Sequence, residues 1–265
     1  MTASPSASGI PSTLALTRRE LVRIIRQPSR LIASIATPLI IWLLLGSGFA
    51  DSFRPPTATT PDATEGLGYG AYLLPGMLTM TVLFSSIFGA MSLIEDRHEG
   101  FLQSVLVSPA PRWSIAASKL LGSALIATAQ AMIILPAAFL LGNAVGPGGL
   151  VLASFGLLCT ALGIAGIGLA AAWWVDSSQG FHGVMNLVLL PMWLLSGSVF
   201  PLEGASGWMR LIMMANPVTW CTKALHASLG TGGGDPTIAW VVTILFACFG
   251  IALGWITLGR GVRRF

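Results

Sequence analysis

The sequence contains few charged residues. Of its 265 residues, 14 are Lys or Arg and 10 are Asp or Glu, so 9% are charged, whereas a soluble domain has roughly 25%. Hydrophobic residues make up 54% of the chain and its mean hydropathy is +0.79. So few charges cannot cover a water-facing surface, and so apolar a chain does not stay unfolded. A soluble globular protein and a disordered one are both excluded.

Several catalytic and nucleotide-binding motifs are also missing. The only two lysines, Lys119 and Lys223, follow Ser118 and Thr222, so the sequence has no G-x-x-x-x-G-K-[ST] loop and cannot be a P-loop ATPase. It contains neither H-E-x-x-H nor G-x-S-x-G. The three cysteines show no C-x-x-C spacing and predict neither a disulfide nor a metal site. We therefore expect no catalytic residues and no enzyme activity in this chain.

The charges are clustered, and the long uncharged runs between them predict transmembrane helices. A helix needs about 20 apolar residues to cross a bilayer, and the turn-forming run 142–149 divides the longest run into two. The six predicted spans are 31–49, 71–94, 115–141, 150–175, 182–200 and 238–258. We expect an all-α membrane protein with a disordered tail at 1–13 and a single transmembrane domain at 14–265.

The positions of Lys and Arg predict the orientation. If both termini are cytosolic, the cytosolic segments hold eleven of the 14 cations, as the positive-inside rule requires. We therefore expect an integral protein of the plasma membrane, in bacteria the inner membrane, with both termini cytosolic and no nucleic acid partner. No acid or base lies near the middle of a predicted span, which argues against a proton- or sodium-driven pump.

A basic helix is predicted ahead of the first span. Arg19, Arg23, Arg26 and Arg30 recur every three or four residues and share one helical face, and Pro28 interrupts the pattern before the membrane. We expect an amphipathic helix on the cytosolic surface, with these arginines directed at membrane lipid. The alternative is a charge cluster that only sets the topology.

The segment between the second and third spans predicts a short helix over 99–108. Its apolar residues Phe101, Leu102, Val105 and Leu106 form one stripe, and acidic residues precede them, as suits a helix start. An exposed helix with such a stripe is typical of a docking element for a partner. Alternatively, the stripe packs against the ends of the chain's own spans.

A third segment, 201–236, follows the fifth span. It contains two apolar stretches, 208–215 and 218–229, separated by Asn216-Pro217. Each stretch is too short to cross the bilayer. We expect a pair of re-entrant half-helices that dip into the outer leaflet, where protein covers the backbone break between them.

These features together resemble the permease subunit of ATP-binding-cassette transporters of the type-2 exporter family. Residues 99–109 are similar to that family's E-G-T-x-E-x-L-L-x-S-P segment, and residues 216–226 resemble its N-P-L-T-Y…A-L-R signature. Phe101, Gln103 and His226 replace the usual Thr, Glu and Arg, so no role of the missing charges is transferred.

The resemblance implies that the loop helix docks on a separate ATPase subunit. ATP and Mg²⁺ would bind there, and this chain would hold no cofactor. Two permeases, expected to be a homodimer, would join two ATPases. Phe101 and Leu102 are the expected apolar anchors, and Glu99 would pair with a basic residue of the ATPase. The full set of expected ATPase-coupling residues is Glu99, Gly100, Phe101, Leu102, Val105 and Leu106.

The resemblance also implies that spans two and five line the transport path. The polar candidates on them are Thr79, Ser85, Ser86, Asn186, Ser196 and Ser198. Hydroxyls in membrane helices more often bond to their own backbone or to a neighbouring helix. Because no ring of charges lines these spans, we expect export of a lipophilic or amphipathic substrate. The spacing of Gly250 and Gly254 predicts a close contact between the last span and another helix. Ordinary packing within the chain would also account for these two glycines.

Two other functions remain open at this stage. A membrane-embedded lipid-modifying enzyme would need convergent acids or histidines, and the only such cluster is Glu95, Asp96, His98 and Glu99 in one loop. A non-transporting scaffold or assembly factor would have the same topology. An ATPase partner whose hydrolysis depends on cargo would separate the transporter from the scaffold.

Overall fold

A computed structural model describes most of the chain as helices. The described residues are 9–49, 68–107, 111–143, 145–199 and 201–261. The elements in chain order are α1 (Gly9–Ile25), α2 (Pro28–Gly48), α3 (Tyr69–His98), α4 (Phe101–Leu106), α5 (Arg112–Ile134), α6 (Ala137–Leu140), α7 (Pro147–Trp174), α8 (Ser178–Trp193), a π-helical turn (Leu194–Ser198), a 3₁₀ turn (Leu202–Gly204), α9 (Gly207–Ala215), α10 (Pro217–Ser228) and α11 (Thr237–Gly261).

The six predicted spans are confirmed. Within the described ranges, six helical stretches are long and apolar enough to cross a membrane, and they correspond in order to the six predictions. The first helix, α1, begins at Gly9, inside the tail predicted for 1–13. Residues 1–8 lie outside the described part of the chain.

Prolines and one glycine set several helix boundaries. Pro28 and Pro147 occupy the first turns of α2 and α7, where a missing backbone N–H costs nothing. Pro136 separates α5 from α6 within the third span. Gly142 has a φ of 76° and starts the predicted turn between the third and fourth spans, because glycine adopts a positive φ without steric cost.

The core is organised around α3, which is the most buried of the six spans. It packs against α2, α5, α7 and α8, while α7 packs along α11. At the crossing of α7 and α11, Gly163 and Gly166 face Gly250 so closely that an added Cβ on Gly166 would overlap the Gly250 carbonyl. Small residues allow such close backbone approach. Gly250 therefore serves packing within the chain.

The short helices that follow the fifth span lie at the end of the bundle opposite α4. Their extents, α9 and α10, match the two apolar stretches; their depth in a bilayer stays a prediction. Asn216 caps α10, since its Oδ1 accepts a hydrogen bond from Val218 N at 3.0 Å, and its Nδ2 donates to the Met192 carbonyl at 2.6 Å. The Asn-Pro pair therefore starts α10 and ties it to the broken end of α8.

Candidate functional site

The short helix α4 lies where α3 ends. The helix α3 continues to His98, four residues beyond the predicted span, and the acids at 95 and 96 belong to its last turns. The expectation that they open the loop helix is therefore wrong. Gly100, with a φ of 73°, reverses the chain, and α4 covers Phe101–Leu106, which is shorter than the predicted 99–108.

The apolar face of α4 points into the protein. Leu102 and Val105 are 5% and 9% exposed and pack with Ile115 of α5, beside Leu16 of α1. The burial of Leu102 and Val105 favours the alternative of packing within the chain, and their contact with an ATPase stays a prediction. A helix of six residues is unstable alone, so tertiary burial of one face stabilises it.

Other residues of this segment face outward. The Glu99 side chain is 61% exposed and Val107 is 87% exposed, and Ser104 is also exposed. Phe101 is half-buried, and the Arg19 guanidinium carbon lies 3.4 Å from its ring centroid. The side chains of Gln103 and Leu106 lie outside the described set.

A cluster of ion pairs, the α1–α3–α5 charge cluster, holds these elements together. It contains four cations and four carboxylates, so its formal charges balance. Its members are Arg19, Glu20, Arg23 and Arg30 on α1 and the start of α2, Glu95, Asp96 and Glu99 at the end of α3, and Lys119 on α5.

Asp96 is the centre of this cluster. Its side chain is 1% exposed and contacts Arg19 at 3.0 Å, Arg23 and Lys119. Arg23 also contacts Glu95 at 2.9 Å. Burial opposes the charge of Arg23, but the carboxylates around it raise its pKa above the ordinary value, so it remains a cation.

The lysine of the cluster is buried as deeply as its partners. Lys119 and Glu20 have side chains only 4% exposed and their charged atoms lie 3.0 Å apart. Ser92 joins them, accepting a hydrogen bond from Lys119 Nζ at 2.9 Å and donating one to Glu20 at 3.1 Å. A buried charge is tolerated only when it is paired and hydrogen-bonded, and each of these charges meets that condition.

Most of the arginines that were predicted to face membrane lipid contact carboxylates of the same chain instead. Arg19, Arg23 and Arg30 contact carboxylates of the same chain, while Arg26 is exposed. Only Arg19 and Arg23 of the predicted face lie on α1, where they meet the end of α3; Arg26 and Arg30 lie beyond the end of α1 at Ile25. The exposed apolar side chains of α1 form a different stripe, which consists of Ile10, Leu14, Val22 and Ile25.

A second ion pair links α3 to the connection between α7 and α8. Arg97 Nη1 lies 2.8 Å from the Asp176 carboxylate, and Arg97 Nη2 donates to the Trp173 carbonyl at 3.1 Å. His98 Nε2 lies 2.7 Å from the Asp176 carbonyl oxygen. The acids and the histidine that a membrane-embedded enzyme would need are thus engaged with other groups of this chain. Among the described residues, no group of three His, Cys, Asp or Glu could hold a metal ion.

Most of the polar residues predicted for a transport path lie inside the protein. Thr79, Ser85, Ser86, Ser196 and Ser198 are all at most 4% exposed. Thr79 donates to the Pro75 carbonyl at 2.9 Å, and Ser196 donates to the Trp193 carbonyl at 2.6 Å. These two hydroxyls follow the alternative of local backbone bonding, whereas Ser86 Oγ is buried without a hydrogen-bond partner among the described residues. Only Asn186, on α8, is exposed, and it lies among the exposed apolar residues Leu187 and Val188.

Sequence reasoning overlooked Glu20, Ser92 and Lys119 as site residues. A usable signal was present, because Lys119 lies within the predicted span 115–141 and a charge there needs a partner. Identifying that partner requires the packing of α1 and α3 against α5, which no spacing in the sequence specifies.

The architecture is that of a polytopic helical membrane protein whose short loop helix lies at one end of the bundle. The chain belongs to the ABC-2 type transporter family, whose sequence model matches residues 11–229. It is therefore a membrane-spanning permease subunit of an ABC transporter, and this family implies an ABC ATPase partner.

Three relatives are named as permeases. "Putative transport permease ycf38" of Cyanophora paradoxa is 27% identical over 82% of this chain and 73% of its own length. "Probable multidrug ABC transporter permease YbhR" of Escherichia coli K12 is 30% identical over 60% of this chain, and the match spans 45% of that relative. "Daunorubicin resistance ABC transporter permease protein DrrB1" of Streptomyces coeruleorubidus is 26% identical over 86% of this chain and 78% of its own length.

Proposed function

We propose that this chain is the membrane subunit of an exporter that moves lipophilic or amphipathic molecules, powered by ATP hydrolysis in a separate subunit that docks on α4. The observation that carries the proposal is the packing of α4 against the rest of the chain. Leu102 and Val105 fix its inner face to α1 and α5, and Glu99 and Val107 beside it remain exposed for a partner.

The charge cluster supports this role because its ion pairs hold the end of α3, from which α4 follows, against α1 and α5. Asp96, next to the turn into α4, contacts cations on both α1 and α5. A push on α4 therefore acts on α1, α3 and α5 together. The central position of α3 would pass the displacement on to α7 and α8. Leu102 and Val105 are then positioning residues, while the exposed residues Glu99, Ser104 and Val107 contact the ATPase.

A charge placed at the exposed residue directly after α4 should disrupt docking. We expect Val107→Asp to lower the amount of ATPase that co-purifies with the tagged chain by about tenfold or more, because burying an unpaired carboxylate in an interface costs about 2–5 kcal/mol. Val107 is 87% exposed, so the chain itself should still insert and fold.

The matched control is Gln179→Asp. Gln179 is exposed on the first turn of α8, close to Asp176 and at the same end of the bundle as α4. The substitution therefore adds the same charge at a position away from α4. It should leave the co-purified amount unchanged. Equal ATPase recovery with Val107→Asp and the unmodified chain would show that α4 is not the docking element.

The proposal also assigns a lipid-facing and a partner-facing surface. We expect Ile10, Leu14, Val22 and Ile25 of α1 to lie against membrane lipid, with the exposed Arg26 near the headgroups. The exposed side of α8, with Asn186, Leu187 and Val188, would face a second permease copy across the path. The plasma membrane location and cytosolic termini belong to the same proposal.

Transport itself can be tested in inside-out vesicles that contain the permease and its co-purified ATPase. Export predicts ATP-dependent uptake of a lipophilic dye such as Hoechst 33342. Vesicles with an ATPase variant that cannot hydrolyse ATP serve as the control. If ATP hydrolysis does not respond to any of a panel of lipophilic and amphipathic dyes and no dye accumulates, the scaffold alternative is favoured.

A further inference from the structure

A cavity of about 460 Å³ opens at the end of the bundle opposite α4. It lies between α10, the π-helical turn at Leu194–Ser198 and the glycine-rich loop before α11. Its volume falls within the range of about 300–1,000 Å³ that is typical of small-molecule sites. The coupling site at α4 uses none of its residues.

Two aromatic side chains that line the cavity are held in place by hydrogen bonds. The Tyr72 hydroxyl donates to the Gly197 carbonyl at 2.9 Å, and its ring centroid lies 5.0 Å from that of His226. Trp220 Nε1 donates to the Met214 carbonyl at 2.9 Å. The cavity therefore offers fixed apolar surfaces next to polar groups.

Lys223 supplies a positive charge that no carboxylate of the described residues neutralises. Its Nζ lies 5.5 Å from the Trp220 ring centroid, and the side chain is half-buried at the cavity wall. Asp235 also lines the cavity, but its Oδ1 accepts hydrogen bonds from Thr237 N and Oγ1, which fixes it at the start of α11. A partly buried cation without a carboxylate partner in the described part of the chain favours an anionic ligand.

His226 provides a second polar group. It is 8% exposed, its Nδ1 lies 2.9 Å from Thr231 Oγ1, and its Nε2 has no hydrogen-bond partner among the described residues. Burial, and then the charge of Lys223, lowers the pKa of His226 to about 4, so the ring is neutral near pH 7. A buried polar atom without a partner is rare in folded proteins and calls for an explanation.

We propose that this cavity binds an amphipathic anion, that is, an apolar body with one carboxylate or phosphate. The anionic group lies at Lys223, with His226 Nε2 available to a ligand oxygen, and the apolar body packs against Tyr72 and Trp220. This site concerns binding alone, so it stands independently of the docking of an ATPase on α4.

The test is direct binding to the purified full-length chain in phosphatidylcholine nanodiscs. The probes are 1-pyrenebutyrate, the neutral 1-pyrenebutanol and the cationic 1-pyrenebutylamine, which share one apolar body. Energy transfer from tryptophan to pyrene reports occupancy, and protein-free nanodiscs give the background of partition into lipid. We expect the anion to bind about tenfold more tightly than the other two, as one charge-assisted hydrogen bond would provide.

Three substitutions locate the site. Lys223→Gln should remove the preference for the anion, and Lys223→Arg should retain it. Arg210→Gln, which removes an exposed cation of α9 at the same end of the bundle, should change nothing. Equal affinity for the three probes, or an anion preference that survives Lys223→Gln in folded protein, would overturn the proposal.

The natural anion could be a membrane lipid headgroup or a free amphiphile. Nanodiscs that also contain phosphatidylglycerol separate these sources. If phosphatidylglycerol weakens 1-pyrenebutyrate binding to the unmodified chain but not to Lys223→Gln, the site is supported with lipid as its occupant. Unchanged binding supports the same site with a free amphiphile as occupant.

Discussion

We expect Asp96→Ala to lower the free energy of unfolding by about 3–5 kcal/mol, the usual cost of removing one partner from a buried ion pair. The carboxylate of Asp96 is buried and contacts three cations, of which Lys119 has a side chain only 4% exposed. Without it, the charge of Lys119 depends on Glu20 and Ser92 alone. Thermal unfolding of the purified chain in nanodiscs should show a midpoint lower by about 10 °C.

Two further variants separate the buried charge from a general loss of contacts. Glu99→Ala removes a pair whose carboxylate is 61% exposed, and it should change the free energy of unfolding by about 1 kcal/mol or less. Combining Asp96→Leu with Lys119→Met removes two buried charges of opposite sign and leaves Glu20 paired with Arg19 at 2.9 Å, so it should restore part of the stability lost with Asp96→Ala. If Asp96→Ala unfolds at the same temperature as the unmodified chain, the cluster does not hold α1, α3 and α5 together.

Gly166→Val is the second substitution with a large expected effect. A Cβ at Gly166 would overlap the carbonyl of Gly250, and its three nearest atoms are all backbone atoms of Gly250, which cannot move aside as a flexible side chain would. The helices would have to separate along a tightly packed pair of spans. We expect a loss of at least about 3 kcal/mol, at the upper end of the cost of overpacking a core. The measurement is the yield and unfolding midpoint of monodisperse protein.

Gly148→Val is the matched control for this substitution. Gly148 lies in the first turn of the same helix α7, and an added Cβ there meets no atom within 4 Å, so the same change of residue type fills open space. It should cost no more than the small difference in helix propensity, within about 0.5 kcal/mol. Similar losses for Gly166→Val and Gly148→Val would mean that the α7–α11 contact is not specifically tight.

The sequence predicted the spans because the physical constraint is simple. A charge-free run of about 20 residues has few alternatives to a transmembrane helix. The ends were less accurate where tertiary contacts decide them. The helix α3 runs to His98 because Glu95 and Asp96 are neutralised by cations of α1 and α5, so the helix continues beyond the apolar run.

Helical faces were easier to predict than what each face contacts. The spacing placed Arg19 and Arg23 on one face of α1, but it held no information on whether lipid or Asp96 lies opposite them. The same holds for the stripe of Leu102 and Val105, which is equally suited to a partner or to Ile115. Hydroxyls such as Thr79 were ambiguous because a backbone carbonyl one turn earlier can satisfy them.

Site-specific crosslinking in native membranes tests whether a separate ATPase contacts α4 and the exposed residues beside it. A photo-reactive amino acid replaces Val107, and Trp208, which is exposed on α9 at the opposite end of the bundle, serves as the control position. We predict that the position 107 crosslink contains a P-loop ATPase and that the position 208 crosslink does not. Absence of an ATPase at position 107, in membranes where the ATPase still co-purifies with the tagged chain, would contradict the proposed docking on α4.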